Sequence, residues 1–428
     1  MPSKNILVFP AGTEISFEIA NALKYSKFVR LIGGTSADDH AEFVYGTLVK
    51  GFPYIHEEGF LDYLNRVIDE YAIDWIYPAH DSACVWCSEH REEIHAGVIV
   101  TDSETVRICR SKKETYRVLA GETFIPRTYE SPDEVDAYPV FVKPSVGQGS
   151  QGARKIDSRA ELERALAQDA TLVICEYLPD TEYTVDCFTD RHGELRVAKL
   201  RDRQRIRAGI SVRSRELPVD DDVQDIADRL NQRLHFRGAW FFQIKKNAAG
   251  RYRLMEISPR IPGTMGLSRN LGINFPMLTL FDFWNMDVEI LENHYDILLD
   301  RAFYSAYSLG LRYSHIYLDY DDTLVVDGKV NGFLMMYLYQ AVSAGKRIHL
   351  LSKHIGDLRE DLRRFRVAEQ LFDEICVIRQ EEQKSDYIAH TDAIFIDDSF
   401  AERQRVQRAC GIPVFDLDMI ESLIDWRI

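Results

Sequence analysis

The sequence predicts a multidomain chain that joins α/β and α+β architecture. Three observations lead there. Strand-like and helix-like stretches alternate near the start, the middle turns to strands, turns and short helices, and alternation returns from about residue 312 to the end. The 428 residues suffice for several domains with real cores. The expected domains are 1–105, 106–305 and 312–428.

In the first domain, "NILVFPAG" reads as a strand and "EISFEIANALKYS" as the helix after it. "VRLIGGTS", "FLDYLNRVIDEYAI", "DWIYPAH" and "AGVIVTD" continue the alternation. A parallel α/β unit follows from this order. The Pro-Ala-Gly after the first strand is not a G-x-G-x-x-G fingerprint, which argues against a dinucleotide site.

Composition narrows the function classes. With 52 Lys and Arg against 68 Asp and Glu, the formal net charge is −16, which opposes general nucleic-acid or acidic-membrane binding. No apolar run is long enough to cross a bilayer, and the opening residues read as a first strand rather than a signal peptide. Seven cysteines are scattered, and Cys84 and Cys87 form a C-x-x-C with no second pair nearby. Buried helical thiols in a reducing cytoplasm are the expectation.

In the middle domain, "YPVFVKPSVGQGSQGARKI" brings Lys143 off a short apolar strand into a loop with Gly147, Gly149 and Gly152 beside Ser145 and Ser150. Glycines let backbone N–H groups turn toward an anion, and a lysine adds mobile positive charge. No Gly-Lys-Ser/Thr closes the loop, so it is not a Walker loop. "VICEYLPDTEYTVDCF" holds Glu176 between two strands, with Glu182 and Asp186 on the second. "WFFQIKKNAAGRYRLMEISPRIPGT" pairs strands around a turn and sets Gln243 and Glu256 on them, with Ser258 and Arg260 beyond. Oxygen ligands on neighbouring strands suit Mg²⁺ between nucleotide phosphates, and an arginine beside them can neutralise charge in phosphoryl transfer.

These segments together resemble the ATP-grasp superfamily over about residues 1–300, with the first domain similar to the α/β domain that precedes the nucleotide domain. The resemblance implies ATP as cofactor with Mg²⁺, for which Mn²⁺ could substitute. It implies that Lys112 and Lys143 bind phosphate, with Ser145 and Gly149 in the loop. Glu176 to Leu178 would hold adenine and ribose, Glu182 the ribose side, Gln243 and Glu256 the metal, and Arg260 the acyl-phosphate step. Two positions depart from the pattern: Ser111 stands where an acid is usual, and "EISPR" puts Ser258 where an Asn metal ligand is usual. Such enzymes activate a carboxylate as an acyl phosphate for capture by an amine. In "RDRQRIRAGISVRSR", Arg201, Arg203, Arg205 and Arg207 recur at period two, either as a solvated strand face or as a clamp for an anionic substrate. Arg269 could add to that clamp.

The last domain opens on "HIYLDYDDTLV", which fits D-x-D-x-T with Asp319, Asp321 and Thr323 at the end of a predicted strand. Ser352 ends the strand of "HLLSKH", Lys384 lies in "EEQKSDYI", and Asp397 and Asp398 end "AIFIDDS". These polar groups would converge at the carboxyl edge of an open parallel sheet, where such folds place their sites. The set resembles the haloacid dehalogenase superfamily of phosphohydrolases, in a capless, doubly wound form because the spacings leave no room for a large lid. The resemblance implies Asp319 as nucleophile, Asp321 as general acid and base, and Ser352 and Lys384 as phosphoryl holders. Asp397 and Asp398 would bind Mg²⁺ with Asp319 and the Asp321 carbonyl. Asp322 matches no catalytic position.

The expectation is therefore a bifunctional cytoplasmic enzyme, a carboxylate–amine ligase joined to a phosphatase acting on a substrate or product of the first. The alternative is a phosphatase whose ATP-grasp part only senses nucleotide. The partners would be small carboxylates, amines and phosphoesters, with no nucleic acid and no membrane, and a homodimer would be compatible.

Overall fold

Parallel strands open each of two compact units, Met1–Phe303 and Tyr304–Ile428. The computed structural model describes residues 2–427 apart from 148, 150 and 208, so Ser150 of the glycine-rich loop lies outside the described residues. Among the described residues, no helix is long and apolar enough to cross a membrane. The first expected domain falls within the first unit, and the second, 106–305, ends just past its boundary at Phe303.

The first unit begins with a five-stranded parallel sheet, ordered 48–50, 29–35, 4–9, 75–78, 97–98. Its central strand Lys4–Phe9 holds Ile6, Leu7 and Val8 fully buried, as expected for a parallel strand covered on both faces. Helix Phe60–Tyr71 buries Phe60, Leu64, Val67 and Ile68, an apolar stripe at helical spacing. Cys84 and Cys87 are buried in helix Asp81–Glu89, where burial pushes both thiols up, away from the reactive thiolate.

Two antiparallel sheets follow. A four-stranded sheet, ordered 128–129, 172–176, 140–144, 154–156, carries Lys143 near the end of strand Val140–Pro144. The larger sheet is built on Glu182–Thr189, which pairs with Leu195–Asp202 on one side and Gly238–Lys246 on the other; Tyr252–Ser258 joins beyond the latter. Side chains alternate by face along a strand. Val185, Cys187, Leu200, Trp240 and Phe242 go into one core, with helix Asp221–Arg233 contributing Val223, Ile226 and Leu230. The alternate positions Thr184, Arg201 and Gln243 are left for a cavity on the opposite face.

The second unit is a parallel sheet ordered 374–377, 347–352, 315–318, 393–396, 414–415. Between strands His315–Leu318 and Arg347–Ser352 stand only a short hairpin, Val325–Val326 with Lys329–Val330, and helix Gly332–Ser343. No separate lid is inserted there among the described residues.

Candidate active sites

A cavity of about 460 Å³ lies in the first unit, reached from several of its elements. Its floor includes a row across four strands, because Glu256 pairs in register with Gln243, Gln243 with Thr184, and Thr184 with Arg201. At the usual strand spacing this row spans about 14 Å, enough to separate a nucleotide end from a substrate end. At the Glu256 end, Lys112 Nζ stands 3.5 Å from the carboxylate. Burial lowers the Lys112 pKa while the Glu256 charge opposes that shift.

At the Arg201 end, Arg201 forms a buried bidentate pair with Asp186 at 2.8 and 3.2 Å, yet its Nη1 has no hydrogen-bond partner. Arg203 pairs with Glu182 and donates to the Gly209 carbonyl at 2.8 Å, leaving Nε without a partner. Arg301 Nη1 and Thr184 Oγ1 are likewise buried without partners, and all four residues line the cavity. Unsatisfied buried donors are costly, and four of them in residues around one cavity have the chemistry that suits an anion.

Lys112, Gly149, Gln243, Glu256 and Arg260 line this cavity, as the sequence reading requires of one site. Lys143, expected at the phosphates, does not line it: it is buried, donating to Tyr116 Oη at 2.7 Å and the Met255 carbonyl at 2.8 Å, and burial lowers its pKa. Ser145 tethers the loop: its carbonyl accepts the Lys112 N–H at 2.9 Å and its hydroxyl meets that of Ser111 at 3.0 Å. Glu176 accepts from the Arg127 N–H and from Arg253 Nε, each at 3.0 Å. Leu178 is half-buried just past that strand, and neither residue lines the cavity. Glu182 lines a shallower neighbouring depression.

Four placements differ from the expected roles in physical detail. Gln243 satisfies its neighbours with its amide nitrogen 2.9 Å from Glu256 and its oxygen 3.0 Å from Arg203, so these two residues do not both turn oxygen toward a shared cation. Arg260 is held by Asp81 through Nε at 2.8 Å and Nη2 at 2.7 Å, and Ser258 Oγ also donates to Asp81, at 2.9 Å. The four period-two arginines do not share a face, because the strand breaks after Asp202; Arg205 pairs with Asp300 and Arg207 lies over the Phe303 ring. Arg269 is tied to Glu18 at 2.8 Å and does not line the cavity.

In the second unit, Asp319 follows the central strand, at the point where chain order reverses between its two neighbours. Ser352 ends one neighbour and Asp397 follows the other, so the topology alone brings them together. They line a pocket of about 400 Å³ with Asp321 and Lys384. Lys384 Nζ bridges Asp319 Oδ2 at 2.9 Å and Asp397 Oδ2 at 2.6 Å. Burial alone would lower the lysine, but the two carboxylates outweigh it and hold its pKa above the ordinary value. Burial raises Asp397 to about 6. Asp319 Oδ1 and Ser352 Oγ are buried without partners.

Carboxylate oxygens of Asp319, Asp397 and Asp398 lie within 4.8 Å of one another. Hard oxygen donors so placed, one of them unpartnered, fit Mg²⁺. Asp321 is exposed and its carboxylate stands outside that group, 3.0 Å from His354 Nδ1. Asp322 is an exposed turn residue with φ +51°.

Sequence reasoning missed several lining residues. Asp81 sits just past parallel strand Trp75–Pro78, so the carboxyl-edge rule applied to "YPAHD" would have found it. Arg110 adjoins Ser111, and His354 stands just past Ser352. Arg301 follows a three-residue strand, Leu298–Asp300, and carries no local signal.

About two thirds of the chain has an ATP-grasp-like fold. Residues 168–298 match a family model described as "ATP-grasp in the biosynthetic pathway with Ter operon". The solved ADP complex of N5-carboxyaminoimidazole ribonucleotide synthetase is similar, with a TM-score of 0.59 and 14% identity over 70% of this chain and 81% of that one. An L-amino acid ligase from Bacillus licheniformis matches with a TM-score of 0.54 and 17% identity, covering 68% and 76%. The biotin carboxylase domain of Hydrogenobacter thermophilus 2-oxoglutarate carboxylase, solved with MgADP, ADP and bicarbonate, matches at 0.57 and 14%, covering 68% and 72%. No curated protein sequence matches the chain.

Proposed function

We propose that the chain is a bifunctional enzyme, an ATP-dependent carboxylate–amine ligase in the first unit and a phosphomonoesterase in the second. The cross-strand row Glu256–Gln243–Thr184–Arg201 carries the ligase half, since it joins an acid with a nearby lysine to a set of unpartnered anion donors in one cavity. In the reaction, a substrate carboxylate oxygen attacks the γ-phosphorus of ATP and ADP leaves. An amine then attacks the acyl carbon and inorganic phosphate departs. Lys112 would neutralise the phosphates, joined by Lys143 if it leaves Tyr116 and the Met255 carbonyl, and Glu256 would hold Mg²⁺, which supplies charge neutralisation between phosphate oxygens. Arg201, Arg203 and Arg301 would fix the anionic end of the substrate, leaving its reacting end toward Arg260.

The unpartnered oxygens of Asp319 and Ser352 beside Lys384 carry the phosphatase half. Asp319 Oδ1 attacks phosphorus while Asp321 protonates the leaving alkoxide. Water, deprotonated by Asp321, then attacks the aspartyl phosphate and frees Asp319. Lys384 and Ser352 hold the phosphoryl oxygens throughout. Asp319, Asp397 and Asp398 would hold Mg²⁺, which offsets the repulsion between carboxylates and phosphate.

Incubation with ATP, Mg²⁺ and mixed carboxylates and amines, followed by mass spectrometry of wild type and Asp319→Asn, tests both halves. The expected result is ADP formation in both proteins and a phosphorylated amide that accumulates only in the variant. Absence of ADP with every pair would overturn the ligase half.

The nucleotide-sensing alternative draws on the Arg260–Asp81 pair and the Gln243 orientation, which occupy two groups needed for transfer. Undiminished activity in Glu256→Ala would favour it.

A further inference from the structure

Twelve histidines are spread through the sequence, yet His315, His349 and His390 come from three separate segments of the second unit to one place. His315 begins the central strand His315–Leu318, His349 lies in strand Arg347–Ser352, and His390 precedes strand Ala393–Ile396. One ring nitrogen from each can be chosen so that all three lie within 4.8 Å of one another. Asp319 follows the same strand, four residues on from His315 and about 13 Å away along it, so the cluster is separate from the acidic pocket.

The surrounding groups orient these rings. Glu374 Oε2 is 3.1 Å from His349 Nδ1, which places the proton on Nδ1 and leaves the Nε2 lone pair facing the cluster. His349 Nε2 stands 2.9 Å from His315 Nδ1. Tyr317 Oη contacts His390 Nδ1 at 2.6 Å, which leaves Nε2 as that ring's other donor position. The Glu374 carboxylate behind the His349 imidazole is the arrangement that fixes the tautomer and raises the basicity of a metal ligand.

We propose that His315, His349 and His390 bind a divalent transition cation of the Zn²⁺ type. Three neutral imidazoles suit such an ion and not Mg²⁺, which prefers oxygen. A tetrahedral site with Zn–N of about 2.0–2.1 Å needs nitrogens about 3.4 Å apart. The His315 and His390 rings stack at 3.5 Å and 8°, so their lone pairs lie in nearly parallel planes that do not meet at one ion, and one ring turns about its side-chain torsions as the ion enters. Both residues are only half-buried, which leaves room for that turn, while His349 is buried and stays fixed. A water completes the coordination. The bound ion ties the segment that follows Lys384 to two strands of the sheet.

The test uses the full chain, stripped of metal and then held in excess Mg²⁺ so that the carboxylate pocket is masked. Zn²⁺ is titrated by calorimetry and retained metal is counted after dialysis; Co²⁺ is added in parallel. Wild type is expected to retain one more equivalent of Zn²⁺ than the His315→Gln/His390→Gln double variant. Its Co²⁺ form should show the intense visible absorption of a tetrahedral site, and the double variant should not. Glu374→Gln should bind about 10–100-fold more weakly, as loss of an orienting partner does. Thermal unfolding checks that the variants fold, and the single His→Gln variants carry the comparison if the double one does not. Equal zinc content in wild type and variants, or unchanged affinity in Glu374→Gln, would overturn the proposal.

Discussion

Asp397 is the carboxyl whose environment makes the clearest statement about pH. Burial raises it from its ordinary 3.8 to about 6, against the opposing pull of Lys384. Between those values the folded chain keeps a proton that the unfolded chain has lost, so without a divalent cation this group reduces stability as pH rises through that window. A cation favours the ionised form. Mg²⁺ should therefore raise the unfolding midpoint of the second unit more at about pH 7 than at about pH 5, read by differential scanning calorimetry. Equal stabilisation at both values would contradict the placement of Mg²⁺ at Asp397. Asp319, Ser352 and Asp397 are legible as candidates because each stands at or next to a strand end, and Lys384, which begins a short helical turn, because of its place in an order that strand caps rarely reproduce. His354, 3.0 Å from Asp321, is not, since a histidine after a strand has many ordinary roles.

Helix Asp81–Glu89 and the loop after strand Tyr252–Ser258 are joined by the Asp81–Arg260 pair, and both residues are about 15% exposed. Burial would push Asp81 up, but the guanidinium outweighs it and holds the carboxyl well below the usual carboxylate range. Its contribution to stability is thus present above the ordinary value and lost as pH falls through the depressed one. Asp81→Asn leaves Arg260 without its counter-charge and should cost about 3–5 kcal/mol, measured by thermal unfolding; a change under about 1 kcal/mol would place the pair with solvent-screened ones. Across the same cavity, Arg301→Gln should raise KM for the anionic substrate about tenfold with little change in kcat, because it removes binding shared by ground and transition states. An unchanged KM would exclude Arg301 from the anion receptor. Periodicity revealed most of these strands and helices, yet it overstated the arginine strand. The chain turns at Gly209, with φ +77°, where a Cβ would stand 2.4 Å from the Gly149 backbone. That close approach between two loops is a tertiary fact with no counterpart in local spacing.

Each unit carries its own central parallel strand and its own buried cluster, with Ile6 and Val8 in one and Ile316 and Leu318 in the other. The sequence showed both, since a continuous apolar run before a strand-end motif occurs twice. It did not show where one unit stops, because the joining segment is aromatic and apolar rather than rich in proline or serine. The expected boundaries of 305 and 312 both fall inside a stretch, 301–313, that has no regular secondary structure. Phe303 there is 85% exposed, and Tyr304, Tyr307, Leu309 and Leu311 are also exposed. Exposed backbone without sheet or helix hydrogen bonds opens locally at low cost, and proteases cut such segments first. Chymotrypsin at low ratio should therefore make its first cut between residues 303 and 311 and yield two fragments that resist further digestion. If the units carry separate chemistries, the smaller fragment should still hydrolyse a simple phosphomonoester in Mg²⁺, and the larger should still bind ATP. A first cut inside either sheet, or loss of both fragments at the rate of the parent chain, would show that the two units depend on each other to stay folded.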